Sequence, residues 1–264
     1  MKKSLISMLL ICLLLFTAAC GREADASGEE ELLIAAAASL EHVLEGEIIP
    51  LFQAQYGDIH VQGTYDSSGR LQTQIELGLS ADLFFSAAMR QMERLDQQGL
   101  VMEETIVPLL ENRLVLIVPA GAETGVTEFA DILNADRIAV GDPESVPVGQ
   151  YARDVFAYLG IWEEVRQRAS FGANVTEVLH WVAEGSADAG VVYATDALLT
   201  EQVTVIAEAD LEISVFYPVA ILAETQNESA ARRFWAFLQT PEVLEIFAAH
   251  GFLIPDGGGR PHGF

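Results

Sequence analysis

Short apolar runs rich in alanine and β-branched residues recur along this chain, separated by stretches whose apolar positions fall at helical spacing. Runs at 32–38, 59–65, 82–86, 113–118, 137–140, 189–193, 203–207 and 213–222 predict strands. Most are nearly continuous in apolar residues, the pattern of strands buried on both faces. Helical patterns start near Ser39, Ser68, Met89, Glu128, Gly149, Val175 and Glu228, and Gly78, Gly99, Gly160 and Gly185 stand where C-terminal caps belong. Pro50, which has no amide hydrogen, predicts a kink or break in the first of these helices. Such alternation, without an internal repeat, predicts an α/β fold.

Chemistry is expected where strands hand over to helices, because unpaired amides and the helix dipole there favour an anion. Ala35-Ala36-Ala37-Ala38-Ser39-Leu40 runs off a strand into a helix, with Leu40, Val43, Leu44, Leu51 and Phe52 on one face and Ser39 at the predicted N-cap. Asp66-Ser67-Ser68-Gly69-Arg70-Leu71 repeats the arrangement. One such serine is an ordinary cap. Two, each following a strand, mark a candidate anion site.

Charge and composition narrow the choice. The 264 residues carry 14 Lys+Arg against 39 Asp+Glu, a formal charge of −25, which opposes nucleic acid and other polyanions as partners. Lys2 and Lys3 are the only lysines. Both precede an apolar stretch that ends in Thr17-Ala18-Ala19-Cys20, the layout of a lipoprotein signal, too short for the ~20 residues of a membrane-spanning helix. Residues 1–19 are therefore expected to be removed, Cys20 to be lipidated as the new N-terminus, and 20–31 to act as a tether. Losing both lysines takes the charge from −25 to −27 and leaves no lysine for Schiff-base chemistry, a P-loop or a serine–lysine dyad. Removal of Cys12 leaves Cys20 without a disulfide partner. The glycine-rich tail, 255–264, is expected to be flexible.

Ala36-Ala37-Ala38-Ser39-Leu40, the Ser67-Ser68 helix start, Ala81-Asp82-Leu83-Phe84, the stretch Ala139 to Pro147, Val191-Val192-Tyr193 and Tyr217-Pro218-Val219-Ala220 together resemble the molybdate-binding component of ABC importers. The likeness runs from about Leu32 to Ile254. It implies a two-lobed type II periplasmic-binding-protein fold, each lobe a mixed, mostly parallel sheet flanked by helices. Residues 32–108 with 219–254 would form lobe I and 109–218 lobe II, with crossings near 107–111 and 215–219. The resemblance places Ser39 and Ser68 as hydroxyl and amide donors from lobe I. From lobe II it places the amides of Val148 and Val175 and the phenol of Tyr193. It further implies an extracytoplasmic, lipid-anchored monomer that captures molybdate or tungstate, has no cofactor, and delivers its ligand to an ABC transporter permease in the membrane.

Physical chemistry is compatible with that expectation. Converging neutral donors can hold a small dianion without a lysine, because hydrogen bonds to charged groups contribute ~1.5–3 kcal/mol each. A donor-only site also prefers an anion with no proton to give, such as molybdate, tungstate or sulfate, over hydrogen-phosphate. Asp66 and Asp142, close to the donors in sequence, are the candidate acceptors for such a proton. A sulfate-like receptor and an α/β enzyme acting on a small anion are the alternatives. His42, His60, His180, His250 and His262 are scattered without metal-ligand spacing, and no Gly-x-Ser-x-Gly element is present. Tyr151, Tyr158 and Tyr193 invite comparison with paired-tyrosine iron binders, but the first two sit in one helical pattern as packing residues. Arg232 and Arg233 fall on the polar face of a helix that buries Phe234 and Phe237.

Overall fold

The computed structural model describes residues 30–209 and 214–255. The expected signal segment, Cys20, the tether up to residue 29 and the tail beyond 255 lie outside the described residues. Along the chain the strands are β1 (Glu30–Ala37), β2 (Ile59–Asp66), β3 (Leu83–Phe85), β4 (Val107–Asn112), β5 (Leu114–Pro119), β6 (Ile138–Gly141), β7 (Ala169–Gly172), β8 (Ala189–Tyr193), β9 (Val203–Glu208) and β10 (Val215–Ile221). The principal helices are α1 (Ile49–Gln55), α2 (Ser68–Glu76), α3 (Met89–Gln97), α4 (Pro147–Tyr158), α5 (Trp162–Arg168), α6 (Val175–Ala183), α7 (Ala194–Ala197), α8 (Glu228–Leu238) and α9 (Pro241–Ala249).

The strands build two sheets with the same layout, in the orders β2-β1-β3-β10-β4 and β7-β6-β8-β5-β9. In the first, β1 runs parallel to β2 and β3, while β10 is antiparallel to β3 and β4. In the second, β6 is parallel to β7 and β8, while β5 is antiparallel to β8 and β9. In each sheet four strands point the same way and one, β10 or β5, runs against them between a parallel trio and the opposite edge. The chain passes between sheets at Arg113 and again between Glu208 and Val215. The expected lobe boundaries at 108/109 and 218/219 fall inside β4 and β10, which both belong wholly to the first sheet.

Burial explains the strand pattern. Leu32, Ile34, Ala35 and Ala36 of β1 and Leu114 to Val118 of β5 are all buried, each strand covered by helices on both faces. Phe52 of α1 is fully buried, with the rings of Phe234 and Phe237 of α8 at 4.9 and 5.2 Å, a cluster in which each ring contributes ~1.5–3 kcal/mol by burial. Arg232 and Arg233 stay at the surface, where Arg232 pairs with Glu228 and Glu104.

Pro50 does not break its helix. The helical run continues from Ala38 to Gln55 through a 3-10 turn (Ala38–Leu40), one α-helical turn (Glu41–Val43) and a π turn (Leu44–Ile48) that ends with the Ile49 amide bonded to Leu44 O, so the proline stands where the wide π turn gives way to α1 and the irregularity takes the form of that turn. The helix expected near Glu128 is a 3-10 helix, Phe129–Asn134. The four expected glycine caps all adopt positive φ. Strands β4 and β7 and helices α5, α7 and α9 were not predicted as such by the pattern.

Candidate functional site

Ser39 is not an N-cap. Strand β1 stays paired through Ala37, opposite Asp66, so the turn begins at Ala38 and Ser39 falls inside it. Its amide still lies in a first turn, ahead of any intrahelical acceptor. Its hydroxyl is 3.0 Å from the Tyr217 hydroxyl of β10. At the second junction Ser67 holds the extended N-cap position and Ser68 is the first residue of α2. Ser68 Oγ accepts the amide hydrogen of Ala87 at 2.9 Å, which leaves its own proton free to donate.

The second sheet supplies the opposing wall. Val148 is in the first turn of α4, which opens with Pro147. Gly149 lets that turn sit on β6, since a Cβ there would lie 2.0 Å from Gly141 O. Val175 opens α6, whose N-cap Asn174 accepts from the Glu177 amide at 3.0 Å. Tyr193 ends β8, is almost fully buried, and stacks edgewise on Tyr217 with ring centres 5.5 Å apart.

These residues converge. Ser39, Ser68, Val148, Val175 and Tyr193 line one small space of about 10 Å³ between the two sheets, together with Ala37, Ala38, Asp66, Ser67, Ala87, Val146, Pro147 and Asn174. Tyr193 Oη and Ser67 Oγ are buried there without a protein partner. Burial raises the Tyr193 phenol well above its ordinary pKa, helped by the neighbouring Tyr217, so it stays protonated and can donate. Burial likewise raises Tyr217.

Asp66 is the one charged side chain lining the space. Its Oδ1 accepts the Ser67 amide hydrogen at 2.7 Å and lies 3.7 Å from Arg70, whose side chain is 46% exposed. Asp142 does not line the space; its Oδ1 accepts from the Glu144 amide. Tyr158 is exposed and Tyr151 half-buried, both away from the lining. His42 and His250 lie with ring centres 5.6 Å apart, but among the described residues no group of three His, Cys, Asp or Glu is placed to hold a metal ion.

The two walls are in contact beyond the donors. The Gly69 amide donates to Ser145 O at 2.9 Å, Gln91 Nε2 donates to Gln150 Oε1 at 3.1 Å, and Arg90 pairs with Asp154 at 3.6 Å. Gly69 is required for this approach: a Cβ would stand 2.3 Å from Ser145 O and under 3 Å from two more backbone atoms. The cleft is closed. What it encloses can grip an anion through neutral donors while excluding water.

Sequence reasoning missed Ser67 as a lining hydroxyl, Ala87 as the amide that orients Ser68, and the Tyr217–Asn112 pair behind Ser39. Ser67 was visible beside Ser68. The others were not, because they reach the site from distant segments.

Known proteins share this architecture. The substrate-binding lipoprotein YvgL of Bacillus subtilis (strain 168), named for an ABC transporter, is 36% identical over 256 residues, 95% of this chain and 98% of its own length. Molybdate-binding protein ModA of Escherichia coli (strain K12) is 33% identical, covering 86% of this chain and 90% of its own. The periplasmic molybdate-binding protein of Azotobacter vinelandii shares the fold, with a TM-score of 0.75 at 23% identity over 85% of this chain and 100% of that one. The family described as bacterial extracellular solute-binding protein matches residues 32–253, and this chain belongs to it.

Proposed function

We propose that the chain is the extracytoplasmic receptor of an ABC importer and that its ligand is molybdate or tungstate. The observation that carries this reading is the enclosed space in which Tyr193 Oη and Ser67 Oγ lie buried without partners among first-turn amides. A buried hydroxyl left unpaired is destabilising by ~1–3 kcal/mol, and an anion with four oxygens relieves it. Ser39 and Ser68 donate through hydroxyl and amide, Val148 and Val175 through amides, and Tyr193 through its phenol. No bond is made or broken in the ligand; the receptor binds and releases. ModA relatives named for molybdate support the choice of ligand.

On this reading the lobes divide at Arg113 and between Glu208 and Val215, and the cleft opens by a hinge at those two links. Cys20 is the lipid-bearing N-terminus that holds a monomeric receptor at the membrane beside its permease. Titration calorimetry of the mature chain against molybdate, tungstate, sulfate and phosphate tests the proposal. One-to-one binding of molybdate or tungstate, far tighter than phosphate, is expected. Equal binding of phosphate would overturn the donor-only site and turn attention to Asp66, and sulfate binding above molybdate would replace the ligand.

A further inference from the structure

Ser39 can donate to an anion only if its hydroxyl proton is not already spent on the protein. Its Oγ lies 3.0 Å from Tyr217 Oη, and geometry alone leaves the direction of that hydrogen bond open. The next partner favours one direction. Tyr217 Oη also lies 3.2 Å from Asn112 Nδ2, which has hydrogens and no lone pair to offer, so Tyr217 accepts from Asn112. The orientation of the Asn112 amide is fixed in turn, because its Oδ1 accepts the backbone N–H of Arg113 at 2.8 Å. Its second Nδ2 hydrogen goes to Thr195 Oγ1 at 2.9 Å. With one oxygen lone pair of Tyr217 committed and its ring fully buried, its single proton has Ser39 Oγ as its hydrogen-bonded acceptor.

We infer that Asn112 and Tyr217 are positioning residues that set the polarity of Ser39: a one-way relay, Arg113 N–H to Asn112 to Tyr217 to Ser39, turns the serine proton into the cleft. This inference rests on the anion-receptor reading above. Ser68 receives the same treatment from the Ala87 amide, so both serines accept from the protein and donate to the ligand. The two differ in where the order comes from. For Ser68 it is local to one sheet. For Ser39 it starts at Arg113, the residue that joins the two sheets, and Asn112 simultaneously holds Thr195 on the far side. Opening of the hinge separates Asn112 from Thr195, which follows β8 of the second sheet, and so loosens the amide that orders Tyr217 and Ser39; release of the anion and motion of the hinge are linked through one amide.

A double-mutant cycle read by molybdate calorimetry tests the relay. Tyr217→Phe keeps the ring's packing on Tyr193 and Phe252 and removes only the hydroxyl. It should weaken binding about tenfold in the wild-type background and less than twofold in the Ser39→Ala background, because without the serine hydroxyl there is no proton to orient. Asn112→Ala should show the same dependence on Ser39, with its larger effect on melting temperature measured separately in the ligand-free protein. Losses from Tyr217→Phe that are equal with and without Ser39 would overturn the relay while leaving the receptor intact. Failure of the wild-type chain to bind any of molybdate, tungstate or sulfate would instead remove the receptor reading, and the relay with it.

Discussion

Replacing Tyr193 by Phe should separate what its hydroxyl does for the fold from what it does for the ligand. In the closed cleft Tyr193 Oη is buried without a protein partner, so its deletion removes an unsatisfied group rather than a bond. The ligand-free variant should therefore melt no lower than the wild type. With an anion bound, the same deletion removes a hydrogen bond to a charged group, worth ~1.5–3 kcal/mol, or roughly ten- to a hundredfold in affinity. Ligand at a thousand times the wild-type Kd stabilises the wild type by ~4.1 kcal/mol; after a hundredfold loss the same concentration stabilises the variant by only ~1.4 kcal/mol. At about 2–4 °C per kcal/mol for a protein of this size, the molybdate-induced rise in Tm should shrink from ~8–16 °C to ~3–6 °C. Thermal melts with and without molybdate, paired with calorimetry, read both effects. A ligand-free variant several degrees less stable that keeps the full molybdate shift would refute the reasoning, since the hydroxyl would then be serving the fold.

Gly69→Val should leave each lobe folded but obstruct closure against Ser145, lowering molybdate affinity at least tenfold and abolishing the ligand-induced compaction seen by small-angle scattering; unchanged compaction would mean that the lobes close elsewhere. Arg70→Ala should change affinity less than threefold, because Arg70 is half exposed and paired with Asp66, and calorimetry at two salt concentrations should show only a modest salt effect in both proteins. Asp196 is raised to about 7 by complete burial, partly offset by the Tyr193 amide that it accepts from, and so keeps a proton that the unfolded chain releases near its ordinary value of 3.8. The folded state thus binds more protons between about pH 4 and 7, and this site's contribution to stability is lost as pH rises through that window, by roughly 4 kcal/mol in all. Denaturant titrations of Asp196→Asn across that range should lack the slope; a slope equal to that of the wild type would assign it to other groups. Cys20→Ala should release the protein from membranes or block its maturation, scored by fractionation and mass spectrometry.

What the sequence discloses follows the range of the interactions. Strands such as β1, β5 and β8 announce themselves as continuous apolar runs because both faces are covered. Strand β7 does not, since Ser170 and Phe171 lie exposed at a sheet edge and the run is only four residues long. Strand β4 is interrupted by Pro108, tolerated because β4 is also an edge, and so reads as a connection. Only two residues separate α9 from α8, so the two periodic patterns merge. Of the proposed donors, Ser39 and Ser68 were legible because each follows a strand at the start of a helical run, whereas Val148, Val175 and Tyr193 were reached through the family resemblance. Their supports were not: Tyr217 meets Ser39 across 178 positions and Asn112 across 105, distances over which no local pattern carries information. Pairing between β4 and β10 likewise decides which sheet each joins, and no local pattern near 108 or 218 displays it.

The placement of β10 orders the assembly of the molecule in time. Strands β5 to β9 are consecutive in the chain and complete the second sheet without help from later residues. The first sheet is different: β4 takes its place in the sheet only beside β10, apart from an isolated bridge between Glu111 and Leu253, and β3 is left with an open edge until β10 arrives from about 130 residues further on. A chain emerging amino end first can therefore finish its second lobe while the first remains a three-stranded fragment with an unpaired edge. Because Tyr217 rides on β10, the proton direction at Ser39 is among the last features to form, and a chain stalled before residue 215 would display the serines without the machinery that aims them.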